Sequence, residues 1–175
     1  MPVRVPPERD RGPGFMADHS LRQDVTNTLR RRPGRIAVLR FPPDVPVPPL
    51  GPASGATLEA VIRTPEETSL VRDWEDPAVA ARPDTARSGP YLAWSVPGKL
   101  DFELVGVLLE LIRPLRAAGV PVLAISTFDT DWLLVDEARG PVAEAAWRSA
   151  GIEILDDDPV GPADPPVRER RDGDL

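Results

Sequence analysis

The chain has no cysteine, one histidine (His19), one lysine (Lys99), and aromatic side chains at only 5% of its 175 positions. Each shortage closes a class of explanation. Without cysteine there is no disulfide, no thiolate nucleophile and no cysteine-ligated zinc or iron–sulfur centre. His19 stands in a polar N-terminal stretch and reads as a solvated side chain, because a general base needs a positioned partner. No metal or cofactor is expected. Long apolar runs are missing too: Leu104–Ile112 is broken by Glu110 and is too short to span a bilayer. The N-terminus carries no apolar signal segment, so a cytoplasmic protein without a membrane partner is expected. The net charge of −7 argues against a nucleic-acid partner, since such a protein should present a basic face. Residues 1–35 do carry +4, but their arginines lack interleaved aromatics and read as a solvated head.

Proline is abundant. Its 23 copies cluster outside the periodic segments, which reduces the expected folded length to roughly 120 residues, one ordinary domain. Residues 1–18 are Pro, Gly and charge without a period and read as disordered, with Met16 as a candidate translation start. Ser20–Arg32 has the spacing of a frayed helix, with Ser20 as cap and Leu21, Val25 and Leu29 on one side. Residues 1–34 are therefore expected to be a disordered or weakly helical tail. Arg35–Phe41 alternates as a strand, with Ile36 and Val38 on one face and Ala37, Leu39 and Phe41 on the other. The prolines from Pro42 to Pro52 forbid helix and central strand alike. Thr57–Arg63 and Thr68–Arg72 read as strands around a Thr64–Glu67 turn, and residues 75–89 as a loop.

From Tyr91 the pattern becomes denser. Tyr91–Val96 reads as a strand and Phe102–Ala118 as a helix capped by Asp101, with core stripe Val105, Leu108, Leu109, Ile112 and Leu115. Pro114 should loosen that helix near Glu110, and Gly119 should close it. Val120–Thr127 and Thr130–Val135 are strands around a tight turn. A second helix opens at Gly140-Pro141 and stops at Gly151, and Ile152–Leu155 is a last strand before an acidic, proline-rich tail at 156–175. The expected fold class is α+β: a ferredoxin-like βαββαβ unit over 91–155, with two helices on one face of a four-stranded antiparallel sheet. The preceding segment, 35–90, is either a reduced, strand-rich copy of the same unit or a set of strands that extends its sheet.

Three segments carry a resemblance: R-T-P-E-E-T-S-L-V at Arg63–Val71, G-K-L-D-F-E-L-V-G-V-L at Gly98–Leu108, and I-S-T-F-D-T-D-W-L-L-V at Ile125–Val135. With them the chain resembles the ACT domain proteins, specifically small bacterial tandem-ACT proteins related to the CASTOR arginine sensors. The resemblance implies a regulatory module that binds an amino acid between paired domains, works as a homodimer and acts on a partner protein. One departure stands out: P-P-D-V-P-V-P-P-L occupies the place of a first helix in the N-terminal repeat.

The candidate ligand residues are Gly98, Lys99, Leu100, Asp101, Ser126, Thr127, Asp131, Glu67 and Thr68. The amides of Gly98–Asp101, at a strand-to-helix turn, suit a ligand carboxylate. Asp101 suits either its ammonium group or the helix cap. Ser126 and Thr127 offer hydroxyls, and Asp131 a carboxylate for a cationic group, although Asp and Thr are also ordinary turn formers. Gly106 falls on the second turn of the expected helix, where a glycine suggests close approach of a neighbour. Glu66 and Glu67 are adjacent on an extended segment and point to opposite faces, so they are poor partners for one reacting atom. Trp94, Trp132 and Trp147 read as core or interface. No Ser/His/Asp set, phosphate loop or dinucleotide fingerprint is present, and no enzyme activity is expected. The alternative to a ligand sensor is a ligand-free oligomerisation module that docks a partner.

Overall fold

The computed structural model describes residues 27–51, 57–80, 86–100 and 106–156. In chain order the elements are β1 (Thr28–Phe41), β2 (Ala60–Arg63), β3 (Thr68–Asp73), the one-turn helix α1 (Pro77–Ala80), β4 (Ala86–Ser95), α2 (Val107–Ala117), β5 (Leu123–Ser126), β6 (Asp131–Asp136), a 3₁₀ turn at Glu137–Arg139, α3 (Gly140–Ser149) and β7 (Glu153–Leu155). The expected order strand, helix, strand, strand, helix, strand is present from β4 to β7. The expectations for residues 1–26 and 157–175, including His19 and Met16, lie outside the described residues.

Among the described residues the strands form one sheet of order β2-β3-β1-β4-β6-β5, antiparallel along this path, with β7 pairing β1 in parallel. This corrects two expectations. First, Thr28–Arg32 is strand, not helix. Leu29 is fully buried against Trp94 and its neighbours, and the strand period is what places it there while its neighbours Thr28 and Arg30 fall on the other face. Pro33 and Gly34, which read as a break, sit at a register irregularity within the same 14-residue strand. Second, β4, β5, β6 and β7 do not close a four-stranded sheet by themselves. The first half of β1 separates β7 from β4, pairing Arg30 with Leu155 on one side and with Ser95 on the other. Residues 28–41 and 60–73 thus belong to the same sheet as the 86–155 unit.

The alternation expected for Ile36–Phe41 sorts the core. Ile36 joins Leu58, Val71, Ala93 and Leu134 on one face; Ala37, Leu39 and Phe41 join Leu70 and Val79 on the other. Beneath α2 and α3 lies the largest cluster, including Leu29, Trp94, Leu111, Leu115, Leu133, Val135 and Trp147.

Helix α2 starts later than its sequence suggests. Its cap position is Gly106, held at φ 89, a left-handed conformation that disfavours any residue with a Cβ. Gly106 is therefore the boundary of the helix and not part of its second turn. The late start also moves the buried stripe to Val107, Leu111 and Leu115, leaving Leu109 59% exposed. Pro114 does not break the helix, which runs on to Ala117 before Gly119 closes it, with Val120 N donating to Leu115 O at 2.9 Å. Residues 75–89, expected as loop, contain α1 and the start of β4 from Ala86.

A buried charge cluster ties β2 and β3 to α1. Arg72, 5% exposed, donates from Nη2 to Glu59 Oε1 at 2.7 Å, and its Nε lies 3.2 Å from Asp76 Oδ2 without hydrogen-bond alignment. Glu59 Oε2 accepts from Gly51 N at 3.1 Å. Beside them, Asp73 Oδ1 is buried without a hydrogen-bond partner among the described residues. Burial raises the Asp73 carboxyl above its ordinary range, and Glu59 and Asp76 push the same way against a Thr57 backbone hydrogen bond and Arg72. A raised acid binds its proton more tightly in the folded chain than in the unfolded one. Its contribution is thus most favourable at low pH and is lost as pH rises through the folded value. Asp73→Asn is expected to raise the melting midpoint at pH 7, and the gain should close as pH falls into the carboxylate range, near roughly pH 4. Paired melting curves at the two pH values check this; an equal effect at both would remove Asp73 ionisation as its cause.

Candidate functional site

The β5–β6 hairpin builds one wall of a cavity. Thr127 N donates to Thr130 O at 2.8 Å, and Thr130 N returns a bond to Thr127 Oγ1 at 3.2 Å, closing the S-T-F-D-T-D turn on itself. Ser126 and Asp131 are cross-strand partners, and Ser126 Oγ donates to Asp131 Oδ1 at 2.6 Å. Their neighbours Ile125 and Trp132 pack on the opposite face with Ala93 and Leu134, so the strand period turns Ser126 and Asp131 towards the helices.

The segment after β4 docks on this hairpin through backbone. Val96 N donates to Asp131 O at 3.0 Å, Leu100 N to Asp129 O at 2.7 Å, and Thr130 Oγ1 donates to Val96 O at 2.6 Å. Outside these, Lys99 Nζ sits 3.0 Å from Asp129 Oδ1 and 5.5 Å from the Phe128 ring centroid. Both members of that ion pair are more than half exposed, so its contribution to stability is small.

The third wall is the start of α2. Glu110 N makes the first helical bond, to Gly106 O at 3.0 Å, so Val107, Leu108 and Leu109 precede it with no intrahelical acceptor for their N–H groups. The cap residue Gly106 has no side chain to bond them, and no other side chain among the described residues does so. Between the walls is a cavity of ≈ 260 Å³, lined by Leu100, Gly106–Leu109 and Ser126–Asp131. Its size suits a small ligand. Leucine and phenylalanine side chains supply apolar surface, the helix start supplies positive potential, and Asp131 supplies a carboxylate.

The sequence candidates divide accordingly. Leu100, Ser126, Thr127 and Asp131 line the cavity; Gly98 and Lys99 lie on the segment bordering it, and Lys99 meets the lining residues Asp129 and Phe128. Asp101 lies outside the described residues, and the α2 cap position belongs to Gly106. Glu67 and Thr68 are not part of this cavity. Glu67 Oε2 accepts from Arg40 Nε at 2.7 Å, Glu66 and Glu67 direct their N–H groups at Thr64 Oγ1, and Thr68 is buried opposite Phe41 and Arg63. Sequence reasoning missed Phe128 and Leu109 as cavity residues. Phe128 was readable as a large apolar residue alone in a polar turn; Leu109 was hidden by the misplaced helix start. None of the described residues form a group able to hold a metal ion. No helix among them is long and apolar enough to cross a membrane.

Comparison with known proteins bears on the same segment. The chain is similar in fold to the Agrobacterium tumefaciens protein Atu0741, at 24% identity over 75% of this chain and 93% of that one, with a TM-score of 0.64. It is also similar to a Vibrio cholerae protein of unknown function described as a possible transport protein, at 17% identity over 75% of this chain and 96% of that one, TM-score 0.54. A third likeness is to the regulatory subunit of aspartate kinase from Thermus thermophilus in its ligand-free form, at 11% identity over 70% and 95% of the two chains, TM-score 0.50. No curated protein sequence matches the chain. Residues 90–146 match the ACT domain family model, and every residue that lines the cavity falls within that segment.

Proposed function

We propose that this chain is an ACT-type regulatory protein that binds a small ligand, an amino acid, in the cavity between α2 and the β5–β6 hairpin. The observation that carries the reading is the pairing of a helix start that no described side chain caps with the Asp131 carboxylate across ≈ 260 Å³. The free N–H groups of Val107–Leu109 receive the ligand carboxylate, as an anion is received at a helix N-terminus. Asp131, oriented by Ser126, receives the ammonium group or a cationic side chain. Leu100, Leu108 and Phe128 contact the apolar part. The Asp101 carboxylate remains a second candidate for the ammonium. The likeness to an aspartate kinase regulatory subunit is compatible with a regulatory role, and the segment that matches the ACT domain model carries the cavity. Binding works by linkage: a ligand that prefers one arrangement of the protein shifts the population towards it, and a partner protein reads the shift.

The assembly reading has its own observation. Leu109 and Phe128, 59% and 71% exposed, flank the cavity as large apolar side chains. A second copy that covers them makes a homodimer and closes the ligand in; the same contact without a ligand makes a docking module. A thermal-shift screen against the twenty amino acids, run beside sedimentation analysis, separates the two. One amino acid that raises the midpoint by several degrees at 100 times its Kd, about 2.7 kcal/mol, supports the sensor. A dimer with a flat response to all twenty leaves the docking module.

A further inference from the structure

The cavity wall that follows β4 is held in place by three consecutive residues of the β5–β6 hairpin. β4 ends at Ser95, and Val96 N still donates to Asp131 O at 3.0 Å. Pro97 has no N–H with which to carry the ladder further, and Gly98, at φ 80, turns the chain back. Leu100 N then returns to the hairpin, donating to Asp129 O at 2.7 Å. Between these two backbone bonds sits Thr130, whose Oγ1 donates to Val96 O at 2.6 Å. Val96 is 1% exposed, so its carbonyl has little access to water and depends on a protein donor.

The Thr130 hydroxyl is preset for this contact. A β-branched side chain has a stiff first torsion. Its backbone is locked inside the turn: Thr130 O accepts from Thr127 N at 2.8 Å and from Thr127 Oγ1 at 2.9 Å, and Thr130 N donates to Thr127 Oγ1 at 3.2 Å. Leu100 lines one side of the cavity and Asp131 another, so a bond that fixes the segment to the hairpin also sets the gap between them.

We propose that Thr130 is a positioning residue for the ligand: its hydroxyl, spent on Val96 O, holds the Val96–Leu100 segment at the separation from Asp131 that a bound molecule needs. The ligand half of this proposal rests on the cavity reading; the anchoring of the segment does not. Without the hydroxyl, Val96 O loses a donor while buried, and the segment relieves this by moving out to water, taking Leu100 with it.

Amide hydrogen exchange, followed by NMR on the full chain, tests the anchor. In Thr130→Val, which keeps the branched shape and loses the hydroxyl, the Leu100 amide is expected to exchange about tenfold faster, the equivalent of one neutral hydrogen bond. The Thr127 amide, bonded within the turn, should keep its rate, and Thr130→Ser, which retains a hydroxyl, should restore that of Leu100. Equal acceleration of both amides, or none at Leu100, overturns the proposal. Each of the twenty amino acids is then titrated against wild type and Thr130→Val, read from the Leu100 and Asp131 amide shifts. One that saturates the wild type should bind about tenfold more weakly to the variant. An unchanged Kd overturns the role of Thr130 and leaves the cavity reading standing. No saturation of the wild type by any of the twenty removes the cavity reading, and with it the ligand half of this proposal. Should Thr130→Val fail to fold, the wild-type Thr130 hydroxyl proton is observed instead. Held on Val96 O it exchanges slowly with water, and exchange at the rate of a free threonine hydroxyl overturns the proposal.

Discussion

Asp131→Asn is expected to abolish most of the stabilisation that an amino-acid ligand confers on the wild-type protein. Asp131 lines the cavity, and no lysine or arginine among the described residues pairs with it; the one lysine is engaged with Asp129 instead. The substitution keeps the size of the side chain and an oxygen able to accept from Ser126 Oγ, so the hairpin retains its bonds. What it removes is the charge opposite a ligand ammonium. A charge-assisted hydrogen bond contributes about 1.5–3 kcal/mol, or about 10–100-fold in Kd. At a concentration 100 times the wild-type Kd, a 100-fold loss cuts the stabilisation from about 2.7 to about 0.4 kcal/mol. Thermal melts of both proteins with and without ligand measure the difference. An undiminished shift in the variant would move the ammonium away from Asp131 and towards another carboxylate, Asp101 being the next to replace.

Trp147→Ala should cost about 3–5 kcal/mol of unfolding free energy, the range for emptying a large buried aromatic site. Trp147 is completely buried, its ring centroid 5.0 Å from that of Trp94 at an interplanar angle of 64°. Its Nε1 donates to Leu111 O at 2.8 Å, so one side chain joins α3 to α2 and both to β4. Trp147→Phe keeps most of the apolar surface and removes the hydrogen bond, and about 1–2 kcal/mol is expected for it. Urea unfolding of the two variants separates packing from polar contributions. A loss under about 1 kcal/mol in Trp147→Ala would mean that α3 does not depend on this anchor. Because Leu111 lies one turn from the cavity-lining start of α2, the alanine variant should also bind ligand more weakly than the phenylalanine variant.

The strand at Ile36–Phe41 and much of the 91–155 segment were legible because their signals are local. The alternation of Ile36–Phe41 fell on the faces where it was expected, Gly119 and Gly151 ended their helices, and Ser126, Thr127 and Asp131 came to one cavity wall. The misreadings have equally particular causes. Ser20–Arg32 showed a spacing of four at Leu21, Val25 and Leu29, yet Leu29 also fits the alternation of a strand, and burial beside Trp94 favours the latter. Asp101 looked like the residue that opens the helix; Gly106, five residues later, holds a left-handed φ that no periodicity reveals. Glu67 and Thr68 were ligand candidates, but Thr68 is buried where Phe41 crosses it in the ladder, away from the cavity.

The sequence by itself determined the order of strands and helices from β4 to β7, the turns between them and the polar character of the β5–β6 hairpin. Backbone conformations, caps and alternating burial act over a few residues, so those residues suffice to specify them. The tertiary structure alone decided that β1 lies between β4 and β7, that Leu109 and Phe128 flank a cavity, and that the Thr130 hydroxyl meets Val96 O. Such neighbours are set by burying side chains against segments far away in the chain. The free energy of that burial belongs to the pair of segments and is written in neither one alone.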